Sequence, residues 1–269
     1  MKLSIIQMSV CLDKGKNLKT AEQYIKAAVN EGADMIVLPE MFCCPYSNEY
    51  FADFAEPERG GVWSFLSETA KKHGVYLVGG SFPESDGASL YNTSFVFDRC
   101  GEQIARHRKV HLFDIDIKGG QRFCESETFS AGDDVTVFDT EFGLIGLCIC
   151  FDLRFPELAR IMALRGAKMV VVPAAFNMTT GPMHWELMFR QRAVDNQLFT
   201  AGAAPARDEN GVYVSYANSI ICTPWGKVLA RAGDKADVIT AGIDFSEVES
   251  VREQLPLLSA RREGVYEQG

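Results

Sequence analysis

A chain of 269 residues is long enough for one large domain or two and can bury about three quarters of its unfolded surface. Hydrophobic residues make up 47% and charged residues 23%, an ordinary globular mixture, and a net charge of −9 withholds the basic footprint that a nucleic-acid partner requires. The apolar N-terminal stretch is broken by Ser4, Gln7 and Ser9 and has no small-residue cleavage site, so no leader is expected. Nor does any window approach the roughly 18 apolar residues of a membrane span.

In chain order, short apolar runs alternate with helical periodicity. LSIIQMSV (3–10) reads as a strand, NLKTAEQYIKAAVNEG (17–32) as an amphipathic helix ending at Gly32, and ADMIVLPE (33–40) as a strand stopped by Pro39. A helix over 60–74 closes on Gly74, and a strand follows over 75–82. YNTSFVFDRCGEQIARHRKVH (91–111) has the pattern of a hairpin turning at Asp98 to Gly101. Next come a strand over GLIGLCIC (143–150), a helix over 155–167, a strand over 168–176 and a helix over 184–197. Further strands are expected in LFTAGAA (198–204), ANSIICTP (217–224) and VITAGID (238–244). No linker, repeat or low-complexity segment divides the pattern, so one α/β domain over residues 1–269 is expected. Its continuous apolar strands imply a sheet covered on both faces.

Eight cysteines without a secretion signal point to thiols kept reduced in the cytoplasm. No C-x₂-C pair occurs, and His107, His111 and His184 have no cysteine at ligand spacing, so no metal is expected. The glycosylation matches at Asn92 and Asn177 mean little in that compartment. A G-x-S-x-G elbow, a P-loop and a dinucleotide fingerprint are all absent. What remains is a set of reactive side chains at strand ends, where α/β folds place their sites. Glu40 closes DMIVLPE, Lys109 follows QIARHR, and Cys150 closes GLIGLCIC. Singly, each has a plainer explanation: a solvated strand end, a solvated basic run, and a small buried hydrophobe. For Cys148 the packing explanation is the preferred one.

LPE around Glu40, RKVHLFD around Lys109 and CFDLRFPEL from Cys150 resemble, in order and spacing, the three signature blocks of the nitrilase (carbon–nitrogen hydrolase) superfamily. The resemblance runs over essentially the whole chain. PYSNEYF, KVHLFDIDIKGG, AFNMTTGPMHWE, RAVDNQ and PARD are most similar to its omega-amidase branch, although Phe151 stands where Tyr is commoner. The resemblance implies a four-layer α-β-β-α sandwich, a homodimer that pairs its sandwiches, and no cofactor. It also implies Cys150 as nucleophile, and Glu125 in FCESETF as the group that orients Lys109 and the substrate amide.

These residue types suit amide hydrolysis. A covalent acyl intermediate divides one difficult step into two, and the thiolate is the attacking species. Glu40 is suited to general base if burial raises its pKa, and Lys109 to favouring the thiolate and then facing the oxyanion beside the Phe151 N–H. The implied substrates are small amides of short oxo acids, 2-oxoglutaramate and 2-oxosuccinamate. The alternatives are the amide of deaminated glutathione and, outside catalysis, a thiol or binding protein. An acidic protein needs a local cation for an anionic substrate, and Arg154 is best placed, against a structural ion pair with Glu157 or Asp152. Thr180 is expected to add a hydroxyl donor.

Overall fold

The chain opens with strand β1 (Lys2–Gln7) and helix α1 (Lys14–Asn30), which starts where the Asp13 carboxylate accepts the Lys16 N–H. Ala21, Ile25 and Ala28 recur at helical spacing and form the buried stripe of α1. There follow β2 (Met35–Val37), α2 (Asn48–Phe54), α3 (Gly61–His73), β3 (Tyr76–Val78), and the antiparallel run β4 (Phe82–Asp86), β5 (Ser89–Phe97) and β6 (Gln103–Arg108). The computed structural model describes residues 1–118 and 122–266, so the last two residues of KVHLFDIDIKGG fall outside it.

A short ribbon, β7 (Asp114–Asp116) with β8 (Arg122–Cys124), leads into the second half. There β9 (Thr136–Phe138), β10 (Ile145–Leu147), α4 (Pro156–Leu164), β11 (Met169–Pro173), α5 (Gly181–Asn196), β12 (Phe199–Ala203), β13 (Ile220–Cys222) and β14 (Val228–Arg231) succeed one another. Their six strands form one sheet in the order β14-β13-β12-β11-β10-β9. The last strand, β15 (Asp237–Gly242), crosses back to pair antiparallel with β1, and α6 (Ser246–Gln254) follows it. The first sheet thus has seven strands, in the order β15-β1-β2-β3-β5-β4, with β6 on the free edge of β5. Each sheet has a parallel centre, β1-β2-β3 and β10-β11-β12, whose crossovers run through helices.

The pleat explains the layers. Leu3, Ile5, Met35, Val37 and Val78 meet Ile145, Leu147, Met169, Val171 and Ala201 in one apolar layer between the sheets. The alternate residues face outward: Ile6, Ile36, Leu77 and Phe95 pack under α1 and α3, and Val170, Val172 and Ile220 under α4 and α5. Both faces of each central strand are therefore apolar, as the unbroken runs implied, and the architecture is the expected α-β-β-α sandwich.

Several expected strands are longer than the paired ones. Those over 33–40, 75–82 and 143–150 pair only over Met35–Val37, Tyr76–Val78 and Ile145–Leu147, because the chain then leaves the sheet to form the site. Helix α5 begins earlier than expected, at Gly181, with Pro182 in its first turn, where a missing N–H costs nothing.

Candidate active site

Glu40 lies three residues beyond β2, on a segment clasped by the turn after β3. Leu38 N–H donates to Val78 O, Ser81 N–H to Pro39 O, and Met41 N–H to Ser81 Oγ. Gly80 (φ 57°) is so close that a Cβ there would sit 2.2 Å from Pro39 O, and only glycine fits. Lys109 directly follows β6, its N–H held by Asn92 O at 2.9 Å. Glu125 starts a 3₁₀ turn after β8, and its Oε2 accepts the Phe113 N–H at 2.7 Å.

These segments converge. Lys109 Nζ lies 2.9 Å from Glu40 Oε1 and 2.8 Å from Glu125 Oε2, and none of the three residues has exposed surface. Asn92 Nδ2 donates to Glu40 Oε1 at 2.9 Å and to Glu125 Oε1 at 3.0 Å. Ala175 N–H donates to Glu40 Oε2 at 2.8 Å. The Tyr46 hydroxyl accepts from Lys109 Nζ at 3.3 Å and faces both carboxylates at 3.4–3.5 Å. Two carboxylates thus share one ammonium out of water. Burial pushes Glu40 up, with Lys109 opposing and Glu125 reinforcing, and its pKa is raised. For Lys109 burial works against the charge, but Glu125 and Glu40 outweigh it and keep the ammonium well above its ordinary range.

Cys150 opens a 3₁₀ turn (Cys150–Arg154) with a left-handed φ of 46°. That conformation is uncommon for a residue with a side chain and marks a stressed elbow. The thiol faces Glu40 and is coupled to it electrostatically. Burial first, and Glu40 next, push the thiol well above its usual pKa, with Lys109 opposing. Lys109 therefore favours the thiolate in sign only, and the resting group is a neutral thiol. Cys148 is buried with Leu158, Met162 and Val172 beneath α4, and burial likewise pushes its thiol up.

Asp152, wholly buried, fastens this turn to the Lys109 segment. Its Oδ2 accepts the Ile149 N–H and lies 3.0 Å from His107 Nε2. Its Oδ1 accepts the His111 N–H and lies 2.8 Å from His111 Nδ1. Burial alone would raise its pKa, but the bonds from His107 and His111 outweigh it and hold the carboxyl well below the usual range. The sequence weighed these histidines only as metal ligands. Their H-x-K-x-H spacing around Lys109 was the signal for a clasp, since alternate strand residues share a face.

Phe151 packs edge-on against Phe113 and Phe155, and its N–H is among those that a helix start leaves without an intrahelical acceptor. Arg154 lies over Phe176 at 4.7 Å, with Nη1 3.0 Å from His184 Nδ1. It forms no ion pair with Glu157 or Asp152 among the described residues; burial lowers its pKa, and Cys150 and Tyr213 oppose that. Thr180 caps α5 and donates both N–H and hydroxyl to Asn177 Oδ1, so the expected free donor is already engaged. A cavity of about 540 Å³ reaches Glu40, Tyr46 and Tyr213 from a mouth that includes Leu12, Lys16 and Asp208.

Fold and cluster together define a class: an α-β-β-α sandwich whose strand ends bring a thiol, an ammonium and two carboxylates into one buried site. Residues 2–253 match the carbon–nitrogen hydrolase family, and the chain belongs to it. It is 48% identical to Omega-amidase NIT2 of Danio rerio and 45% identical to that of Homo sapiens, in each case over 98% of this chain and 96% of the relative. The crystal structure of Saccharomyces cerevisiae Nit3, a member of branch 10 of the nitrilase superfamily, matches with a TM-score of 0.90 at 39% identity, covering 98% of this chain and 96% of that one.

Proposed function

We propose that this chain is an omega-amidase, a single-domain amidohydrolase that converts 2-oxoglutaramate and 2-oxosuccinamate to the dicarboxylate and ammonia without a cofactor. The observation that carries this reading is the buried Lys109 ammonium, 2.9 Å from Glu40 and 2.8 Å from Glu125, with the Cys150 thiol facing Glu40. Because the thiol is neutral at rest, its proton moves to Glu40 as sulfur attacks the amide carbon. The C–S bond forms, the carbonyl π pair moves to oxygen, and the oxyanion faces Lys109 Nζ and the Phe151 N–H. Each such donor is typically worth about 2.7–4 kcal/mol. Glu40 then protonates the nitrogen, the C–N bond breaks and ammonia leaves. Water attacks the thioester, giving its proton to Glu40, and that proton returns to sulfur as the acid departs. Glu125 holds Lys109 and faces the amide nitrogen.

Arg154 binds the far carboxylate, for which a guanidinium free of ion pairs among the described residues is suited. Thr180 joins it by turning its hydroxyl from Asn177 to the substrate. Exposed Ile161 and Leu164 on α4 and Leu187 and Val194 on α5 support a homodimer that buries these helices. A cytoplasmic location agrees with eight free cysteines and with no helix, among the described residues, long and apolar enough to cross a membrane. The test is ammonia release from 2-oxoglutaramate beside deaminated glutathione, with kcat/KM at least tenfold higher for the former. The reverse order would assign the longer substrate, and no release from either would remove the catalytic reading.

A further inference from the structure

We propose that Asn92 is a positioning residue: its one amide nitrogen ties Glu40 to Glu125 and so fixes both carboxylates about the Lys109 ammonium. This rests on the reading of Glu40 as the base. Asn92 sits on β5 with no exposed surface. Its backbone carbonyl accepts the Lys109 N–H at 2.9 Å, and its Nδ2 donates at 2.9 Å to Glu40 and at 3.0 Å to Glu125. One residue therefore bonds both carboxylates through its side chain and the backbone of Lys109 through its own carbonyl.

The orientation of the amide follows from its surroundings. Turned over, its oxygen would face two carboxylates that have no proton to offer, so the nitrogen must face them. Oδ1 pays for that arrangement, being buried with no hydrogen-bond partner among the described residues. A residue placed for packing alone would not carry a buried orphan carbonyl, because leucine fills nearly the same volume without one. The two N–H groups, by contrast, are both engaged.

What they accomplish follows from charge. Glu40 is faced by Lys109, Glu125, Cys150, Tyr46 and Tyr213, and Glu125 by Lys109, Glu40, Tyr46 and Tyr213. Only Lys109 among these is cationic. Two buried carboxylates on one ammonium repel, and the repulsion is relieved if Glu40 takes a proton or if either side chain swings away. A donor shared between them favours the ionised form of Glu40 and holds the oxygens of both at a set separation. The Ala175 and Phe113 N–H groups each serve a single carboxylate and Tyr46 reaches both only over longer contacts, so Asn92 is the neutral donor that joins the two at 3.0 Å or less.

The test is the pH profile of Asn92→Leu, made in the full chain and checked by circular dichroism and melting temperature. Loss of the two donors makes Glu40 harder to ionise, so the acid limb of kcat/KM for 2-oxoglutaramate moves to higher pH. A displacement of about one pH unit is expected, about a tenfold deficit on the acid limb that closes on the plateau. The rate of Cys150 alkylation by iodoacetamide should show the same displacement. Asn92→Ser, with one hydroxyl proton, should move both limbs less and serves if the leucine variant fails to fold. Limbs that stay in place, with rates lowered equally at every pH, would overturn the proposal and leave Asn92 a packing residue. If wild-type protein hydrolyses no amide, the functional reading fails instead, while alkylation still tests Asn92 without any substrate.

Discussion

Two cysteines two positions apart meet opposite fates because the sheet ends between them. Cys148 still follows the plane of the strand and points under α4, whereas Cys150 has turned through a left-handed φ of 46° towards Glu40. Cys150→Ala should abolish ammonia release, whereas Cys148→Ala should keep it at a stability cost of about 1 kcal/mol. Peptide mass mapping of a trapped thioester distinguishes them, and an acyl group on Cys148 would reverse the assignment. Arg154 is a different kind of residue, proposed to act on the substrate and not on the thiol. A hydrogen bond to a charged group is worth roughly 1.5–3 kcal/mol, so Arg154→Lys should lower kcat/KM for 2-oxoglutaramate about 10- to 150-fold. Hydrolysis of a small neutral amide should hardly change. Equal losses on both substrates would show that Arg154 serves only to shape the turn.

Among the elements, the turn Cys150–Arg154 and the end of β6 depend on each other through Asp152. The carboxyl of Asp152 ionises well below the value of about 3.9 expected in the unfolded chain. A depressed folded-state pKa contributes stability that is fully present above the unfolded value and is lost as pH falls through it. Melting temperature should therefore drop as pH is lowered below about 4, and Asp152→Asn, less stable at pH 7, should lose less over that interval. Melts at pH 7, 4 and 3 check this, and parallel curves for the two proteins would contradict it. The same clasp explains why extended pairing stops early here. Once Ile149 N–H is given to the Asp152 side chain, the chain has left the ladder.

For the whole molecule, the proposed homodimer would bury the outer helices. Ile161 and Leu164 on α4 and Met183, Leu187 and Val194 on α5 are exposed, with the sandwich's own core beneath them. Leu187→Glu combined with Ile161→Glu should halve the mass seen by light scattering while leaving the circular dichroism spectrum unchanged. An unchanged dimer mass would place the interface on another face.

Much of this was legible in the chain itself. Continuous apolar runs such as KMVVVPAAF and amphipathic helices closed by glycine follow from local periodicity, which burial on both faces of a strand imposes directly. Elements of three residues, such as β7, β8 and β9, are too short to show any period and exist only because a neighbouring strand pairs with them. Glu40, Lys109 and Cys150 could be singled out because each stands at or just past the end of an expected strand. Asn92 could not, since its local pattern reads as a glycosylation match, and only burial against two carboxylates reveals its use. The charge states were equally out of reach. Sequence suggests that Lys109 makes Cys150 a thiolate, but desolvation and Glu40 outweigh one ammonium, and both depend on how residues 40, 109, 125 and 150 meet in space. Residue type and order determined which groups could react. Their protonation was decided by the tertiary structure, because burial and proximity set the energy of a charge and neither is a property of the chain taken in order.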